Sequence, residues 1–172
     1  SDDTRKEISG KISVIQVLVN GTDGTDIDNL TVTAKVAAGS TDVQVQNIDW
    51  LITCGGSSFG LITGNLGLND TAGGYLNVAD PNTEFVNADY LSGADYVATD
   101  ELTSGTVFKF DIELDDGTAS GAQDIGARDG LGACAASAGV GESLEMKIIV
   151  DGGGTTILEL NIESVTSGKE VT

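Results

Sequence analysis

The sequence predicts an all-β protein folded as an antiparallel β-sandwich. Apolar and polar residues alternate with a period of two in several segments, which is typical of strands that bury one face. The 172 residues include 24 glycines and one proline, and glycine suits tight β-turns because it adopts positive φ angles. Four short strand patterns occur before residue 53, which favours a sandwich, and no segment shows a helical pattern over three turns.

The clearest strand pattern covers residues 106–114, where the apolar side chains share one face and the charged side chains share the other. Residues 144–150 and 158–163 alternate in the same way on either side of the glycine-rich turn 151–154, so we expect them to form a hairpin. The alternating members of the first strand are Phe108, Phe110, Ile112 and Leu114 on the apolar face, and Lys109, Asp111 and Glu113 on the polar face.

The whole chain, residues 1–172, is predicted to form one domain with a long insertion. In residues 55–104, short apolar pieces are broken by glycine and aspartate, which indicates a long Gly/Asp-rich insertion. The strand candidates that precede it are residues 11–19, 30–36, 43–45 and 48–52, and residues 20–28 form a turn-rich stretch between the first two.

The composition excludes several classes of function. The chain has 27 acidic and 8 basic residues, for a formal charge of −19, so nucleic acid and anionic lipid surfaces would repel it. Histidine is absent, which removes the commonest general base and the commonest zinc ligand. A carboxylate-pair glycosidase needs an aromatic-lined cleft, whereas this chain is 5% aromatic with one tryptophan, Trp50. We therefore predict no catalytic residues and no enzyme activity.

Cys54 and Cys134 are the only cysteines. Their spacing matches no metal-binding motif, and a lone pair of this kind favours a disulfide in a protein that functions outside the cell. Two buried free thiols are the alternative. A bridge between them would close a long loop, which the chain-entropy argument values at roughly 4 kcal/mol.

Three Asn-X-Thr sequons, at Asn20, Asn29 and Asn69, lie in turn-like settings and are candidate N-glycosylation sites. Ordinary turn chemistry, in which asparagine side chains bond to the local backbone, explains them equally well without a glycan.

Two acidic turns space oxygen ligands in the way that a calcium-binding loop does. In the second turn the candidate ligands are Asp80, Asn82 and Glu84, while the first covers Asp23 to Asp28. The second turn lacks the glycine and the terminal glutamate of an EF-hand loop, so solvated turn residues are the alternative. We expect that the protein requires no cofactor. Calcium or another cation is the candidate ligand.

Several segments, taken in this order, resemble archaellins, the flagellin-like subunits of archaeal swimming filaments. The most specific is the passage with a strand, then Ala38-Gly39-Ser40, then Asp42-Val43 and a second strand. The segments that carry the resemblance are Ile8 to Val14, Ile27 to Val43, Gly141 to Ile148 and the closing glycine hairpin, which together cover about half of the chain.

The resemblance implies a structural subunit with two parts. An N-terminal hydrophobic helix would lie in the filament core, and an immunoglobulin-like β-domain, corresponding to this chain, would lie outside. Because the sequence begins at Ser1-Asp2-Asp3, we expect that the helix precedes it in the gene. The implied partners are copies of itself or sister subunits in an extracellular, cell-surface filament, with membrane contact only through that helix before assembly. Glycosylation and metal binding are implied as family features.

The strand motifs and the tyrosines are also compatible with other functions. Related archaeal type IV pilins and the β-sandwich anchoring subunits of the same motor share these strand motifs. A cell-surface adhesin or carbohydrate-binding module is the alternative from a different class, with Tyr75, Tyr90 and Tyr96 as platforms for sugar rings. Packing of these tyrosines within the insertion explains them without a ligand.

Overall fold

The computed structural model describes residues 12–55, 59–67, 85–114 and 134–172. In these ranges the chain forms antiparallel strands, and the only helical segment is a 3₁₀ turn at Val45–Asn47. In chain order the strands are β1 (Ile12–Thr22), β2 (Ile27–Val36), β3 (Val43–Gln44), β4 (Ile48–Cys54), β5 (Gly60–Asn65), β6 (Phe85–Tyr90), β7 (Asp95–Val97), β8 (Glu101–Leu102), β9 (Val107–Glu113), β10 (Ser143–Val150) and β11 (Thr155–Asn161).

The strands form two main sheets that enclose one core. The five-stranded sheet has the order β1-β2-β9-β6-β7, the four-stranded sheet has the order β11-β10-β4-β5, and β3 pairs with β8 in a small third sheet. Trp50 from one main sheet and Phe108 and Phe110 from the other are among the largest buried side chains of a single hydrophobic cluster. The structure therefore confirms the predicted all-β, antiparallel sandwich.

The strands with the clearest alternation form where the sequence predicts them. In β9 the inward side chains are buried and the outward ones are half-buried, as the period-two pattern requires. β10 and β11 form the predicted hairpin, with Lys147 opposite Ile157. The connecting turn contains Gly152 with φ of +70°, a conformation that glycine adopts at little cost.

The structure differs from the sequence prediction at two places. β1 continues to Thr22 and β2 begins at Ile27, so most of the turn-rich stretch 20–28 is strand. Backbone pairing, as between Gly21 and Asn29, extends the ladder through a stretch that lacks apolar alternation and has Ile27 as its buried apolar residue. Residues 55–104 contribute β5 to the four-stranded sheet, and β6 and β7 to the five-stranded sheet.

Residues 167–172, which we call the closing segment, join the two sheets along one edge. The backbone N–H groups of Gly168 and Val171 donate to carbonyl oxygens of β1, at Val19 and Val17, over 2.7 and 2.8 Å. At the other side of the segment, the N–H of Asn161 in β11 donates to the carbonyl of Thr172 over 2.6 Å. The Val171 side chain is buried in the core. This edge of the sandwich is therefore covered by backbone hydrogen bonds to both sheets.

Candidate functional surfaces

A disulfide links the end of β4 to the segment that precedes β10. The sulfur atoms of Cys54 and Cys134 are bonded, their Cα atoms lie 5.8 Å apart, and the bridge spans a sequence separation of 80 residues. Both cysteines are buried in the core. Among the described residues there is no free cysteine. The disulfide therefore has a structural role, and neither cysteine provides a free, exposed thiol.

Two of the three sequon asparagines are neighbours on adjacent strands. The Asn20 side-chain amide donates to the Asn29 side-chain oxygen over 3.0 Å, and the Asn29 amide donates to the Glu113 carboxylate over 2.5 Å. Asn20 is exposed and Asn29 is half-buried. Glycosylation at either residue stays a prediction, and Asn69 lies outside the described residues.

The predicted cation ligands Asp80, Asn82 and Glu84 also lie outside the described residues. In the first acidic turn, the Asp23 carboxylate accepts the backbone N–H groups of Thr25 and Asp26 over 2.7 and 2.8 Å. These backbone hydrogen bonds, that of Asp26 first, hold the pKa of Asp23 below its usual range. Within the part of the chain that the structure describes, no three acidic or cysteine side chains gather into a metal-binding group.

Two of the three tyrosines proposed as sugar platforms stack on each other. The rings of Tyr90 and Tyr96 lie 3.8 Å apart between centroids with an angle of 22° between their planes. Tyr96 is 2% exposed, whereas Tyr90 is 44% exposed, so only Tyr90 offers a ring to solvent. Tyr75 lies outside the described residues. The stack is therefore mainly a packing contact of β6 and β7.

We expect one tyrosine of the folded protein to ionise at unusually high pH. Desolvation by burial raises the pKa of Tyr96 to about 12, with smaller contributions from Tyr90 and Asp100. Since the unfolded value is 10, the folded state loses stability as pH rises from 10 towards 12. In a spectrophotometric titration at 295 nm, Tyr96→Phe should remove the transition near pH 12. A wild-type titration completed below pH 11 without unfolding would contradict the burial of this hydroxyl.

The outer faces of the two sheets differ in character. On the four-stranded sheet, outward side chains include Leu51, Leu61 and Ile149, interspersed with charged residues of β10 and β11. On the five-stranded sheet the outward side chains of β2 and β9 are mostly threonine, lysine and carboxylates, and Thr31 donates to Asp111 over 2.6 Å.

No helix in the described residues is long and apolar enough to span a membrane.

These features define an acidic, disulfide-linked antiparallel β-sandwich whose distinguishing chemistry lies on its surfaces. Solved structures with a similar fold include two from archaeal flagella. The archaeal flagellum of Methanospirillum hungatei strain JF1 matches with a TM-score of 0.53 at 12% identity, over 99% of this chain and 76% of that chain. Archaeal flagellin FlaB1 from Methanocaldococcus jannaschii matches with a TM-score of 0.54 at 11% identity, over 93% of this chain and 95% of that chain. No protein-family model and no curated protein matches the sequence.

Proposed function

We propose that this chain is the outer domain of a structural subunit in an extracellular archaeal motility filament. The observation that carries the proposal is the fold similarity to an archaeal flagellum over 99% of this chain. The similarity to a crystallised archaeal flagellin over nearly the full length of both chains supports it independently. The absence of histidine from the sequence is consistent with a role that requires no catalysis.

In this role the sandwich acts as a rigid element on the filament surface. A filament grows when each subunit presents two different surfaces that fit each other, because such heterologous contacts repeat along a helix instead of closing into a ring. The closed edge and the disulfide keep the sandwich from opening at two of its margins. The formal charge of −19 opposes close approach of identical copies, so assembly is favoured where salt screens that charge.

Expression of the complete gene, including any codons upstream of Ser1, tests the proposal. We expect filaments that are visible by negative-stain electron microscopy and labelled along their length by antibodies against this domain. Because the Debye length is about 10 Å at 0.1 M salt and about 30 Å at 0.01 M, we also expect the filaments to dissociate on transfer to low ionic strength. A complete protein that remains monomeric at high salt would overturn the proposal.

Antibody labelling, gene deletion and glycan binding separate the related alternatives. If the chain is an anchoring subunit, the antibodies would label only the filament base. If it is an adhesive pilin, deletion of its gene would leave swimming intact. A carbohydrate-binding module would bind glycans as an isolated monomer. The burial of Tyr96 leaves only one ring of the described tyrosine pair for such binding, so the structure offers this function little support.

A further inference from the structure

The outer face of the four-stranded sheet carries a diagonal apolar stripe, formed by Phe59, Leu61, Leu51 and Ile149. Thr53 lies opposite Leu61, and Lys147 lies opposite Leu51, so Leu61, Leu51 and Ile149 are diagonal neighbours on β5, β4 and β10. Phe59 lies two residues before Leu61, just ahead of β5. Diagonal neighbours in a sheet are close enough for long side chains to touch. Phe59 is 78% exposed and Leu61 is 41% exposed. Lys147 and Asp49 lie beside Leu51 and Ile149 on the same face, so the stripe is apolar with charged neighbours, and such a surface is suited to contact with another protein.

A pair of glutamates borders the stripe. Glu145 and Glu159 lie directly opposite each other on β10 and β11, an arrangement in which like charges destabilise a sheet. Lys147 approaches Glu145 at 3.7 Å, so a single lysine faces two carboxylates. All three side chains are partly or fully exposed. A positively charged side chain of a partner would therefore reduce the repulsion between the Glu145 and Glu159 carboxylates.

The five-stranded sheet presents cations on the opposite side of the core. Lys35 on β2 and Lys109 on β9 both face outward and are diagonal neighbours, because Thr33 lies opposite Lys109. Lys109 has two carboxylates near it on this face, Asp89 opposite it on β6 and Asp111 two residues along β9, which leaves Lys35 as the more exposed positive charge. Leu91, 58% exposed, follows β6 at the same end of the sheet. We call Lys35, Lys109 and Leu91 the lysine corner.

We propose that the apolar stripe and the glutamate pair of one copy dock against the lysine corner of a second copy. The two faces are complementary in charge. The four-stranded face offers two carboxylates that share one lysine beside an apolar stripe, and the five-stranded face offers the exposed Lys35, with Lys109 next to it, beside an exposed leucine. Because the two surfaces lie on opposite sides of one sandwich, each contact joins the four-stranded face of one copy to the five-stranded face of the next. A row of copies therefore keeps one unoccupied surface at each end, to which a further copy can add. This inference rests on the proposed function and names the surfaces through which the subunits meet.

Charge-reversal variants of the complete chain test the contact. The first variant is Glu145→Lys/Glu159→Lys, the second is Lys35→Glu/Lys109→Glu, and the third combines all four substitutions. The matched control is Glu101→Lys/Glu163→Lys, which changes the net charge as the first variant does but at exposed positions outside both surfaces. The readouts are polymer sedimented at 0.15 M salt and the far-UV circular dichroism of the unassembled chain, which checks folding.

We expect each of the first two variants to raise the subunit concentration needed for assembly by about tenfold or more, since exchange of attraction for repulsion at a close charge pair exceeds about 1.4 kcal/mol. The combined variant should recover most of the assembly, and the control should assemble at least as well as wild type. If either double variant, folded, assembles like the control, or if the combined variant shows no recovery, the inference is wrong while the filament proposal stands. Failure of the wild type to assemble under any salt would overturn both.

Discussion

Replacing Cys54 and Cys134 together with alanine should lower the free energy of unfolding by about 4 kcal/mol. The bridge closes a loop with a sequence separation of 80, and its removal gives the unfolded chain the conformational freedom that the bridge denies it. Both cysteines are buried, so the loss of side-chain volume adds to the effect. Urea unfolding at neutral pH, followed by Trp50 fluorescence, measures the change.

The reductant dependence provides the control for this prediction. Wild-type protein treated with dithiothreitol should approach the stability of the alanine variant, whereas the variant itself should be indifferent to reductant. Alkylation after unfolding should add mass to the wild type only when it has been reduced first. An alanine variant whose urea midpoint equals that of the wild type would show that the bridge contributes nothing to stability.

Val171→Asp should cost about 3 kcal/mol or more of unfolding free energy. Val171 is 3% exposed, and burial of a valine contributes about 1.5 to 3 kcal/mol, to which the desolvation of a carboxylate adds a further penalty. The substitution should also release the closing segment from β1 and expose the backbone groups of Val17 and Val19 as an unpaired strand edge. Urea unfolding and light scattering measure the two effects.

Thr172→Asp is the matched control, because it places the same carboxylate one residue along the chain at an exposed position. This variant should unfold within about 0.5 kcal/mol of the wild type and remain free of aggregation. Equal loss of stability in both variants would mean that negative charge near the segment matters rather than burial of residue 171. A stable, non-aggregating Val171→Asp protein would show that the segment is dispensable for the sandwich.

The two predictions concern the same physical requirement. An open sheet edge presents unpaired backbone groups that can pair with a strand of another molecule. The closing segment covers the β1 and β11 margin, and the disulfide holds the end of β4 to the chain that leads into β10. Both devices act between elements that are far apart in sequence, where loop-closure entropy otherwise opposes contact.

Local alternation predicted the strands that bury one face and expose the other. Residues 107–113 of β9 and the β10 and β11 hairpin form as expected, because a period of two matches the pleat of a strand whose neighbours cover one side. β6 and β7 were not predicted as strands, since aspartate and glycine weaken the alternation. Their position follows from pairing with β9, and pairing partners are not encoded locally.

Composition and short-range pattern were enough to predict the fold class, the high negative charge and the cysteine, asparagine and tyrosine residues that are candidate sites. The three-dimensional arrangement was needed to show that Asn20 bonds to Asn29, that Tyr96 is buried against Tyr90, and that the lysines of β2 and β9 face outward from one sheet while the glutamate pair of β10 and β11 faces outward from the other. These contacts depend on which strands pair and in which register, and both depend on the packing of the whole core rather than on any one segment.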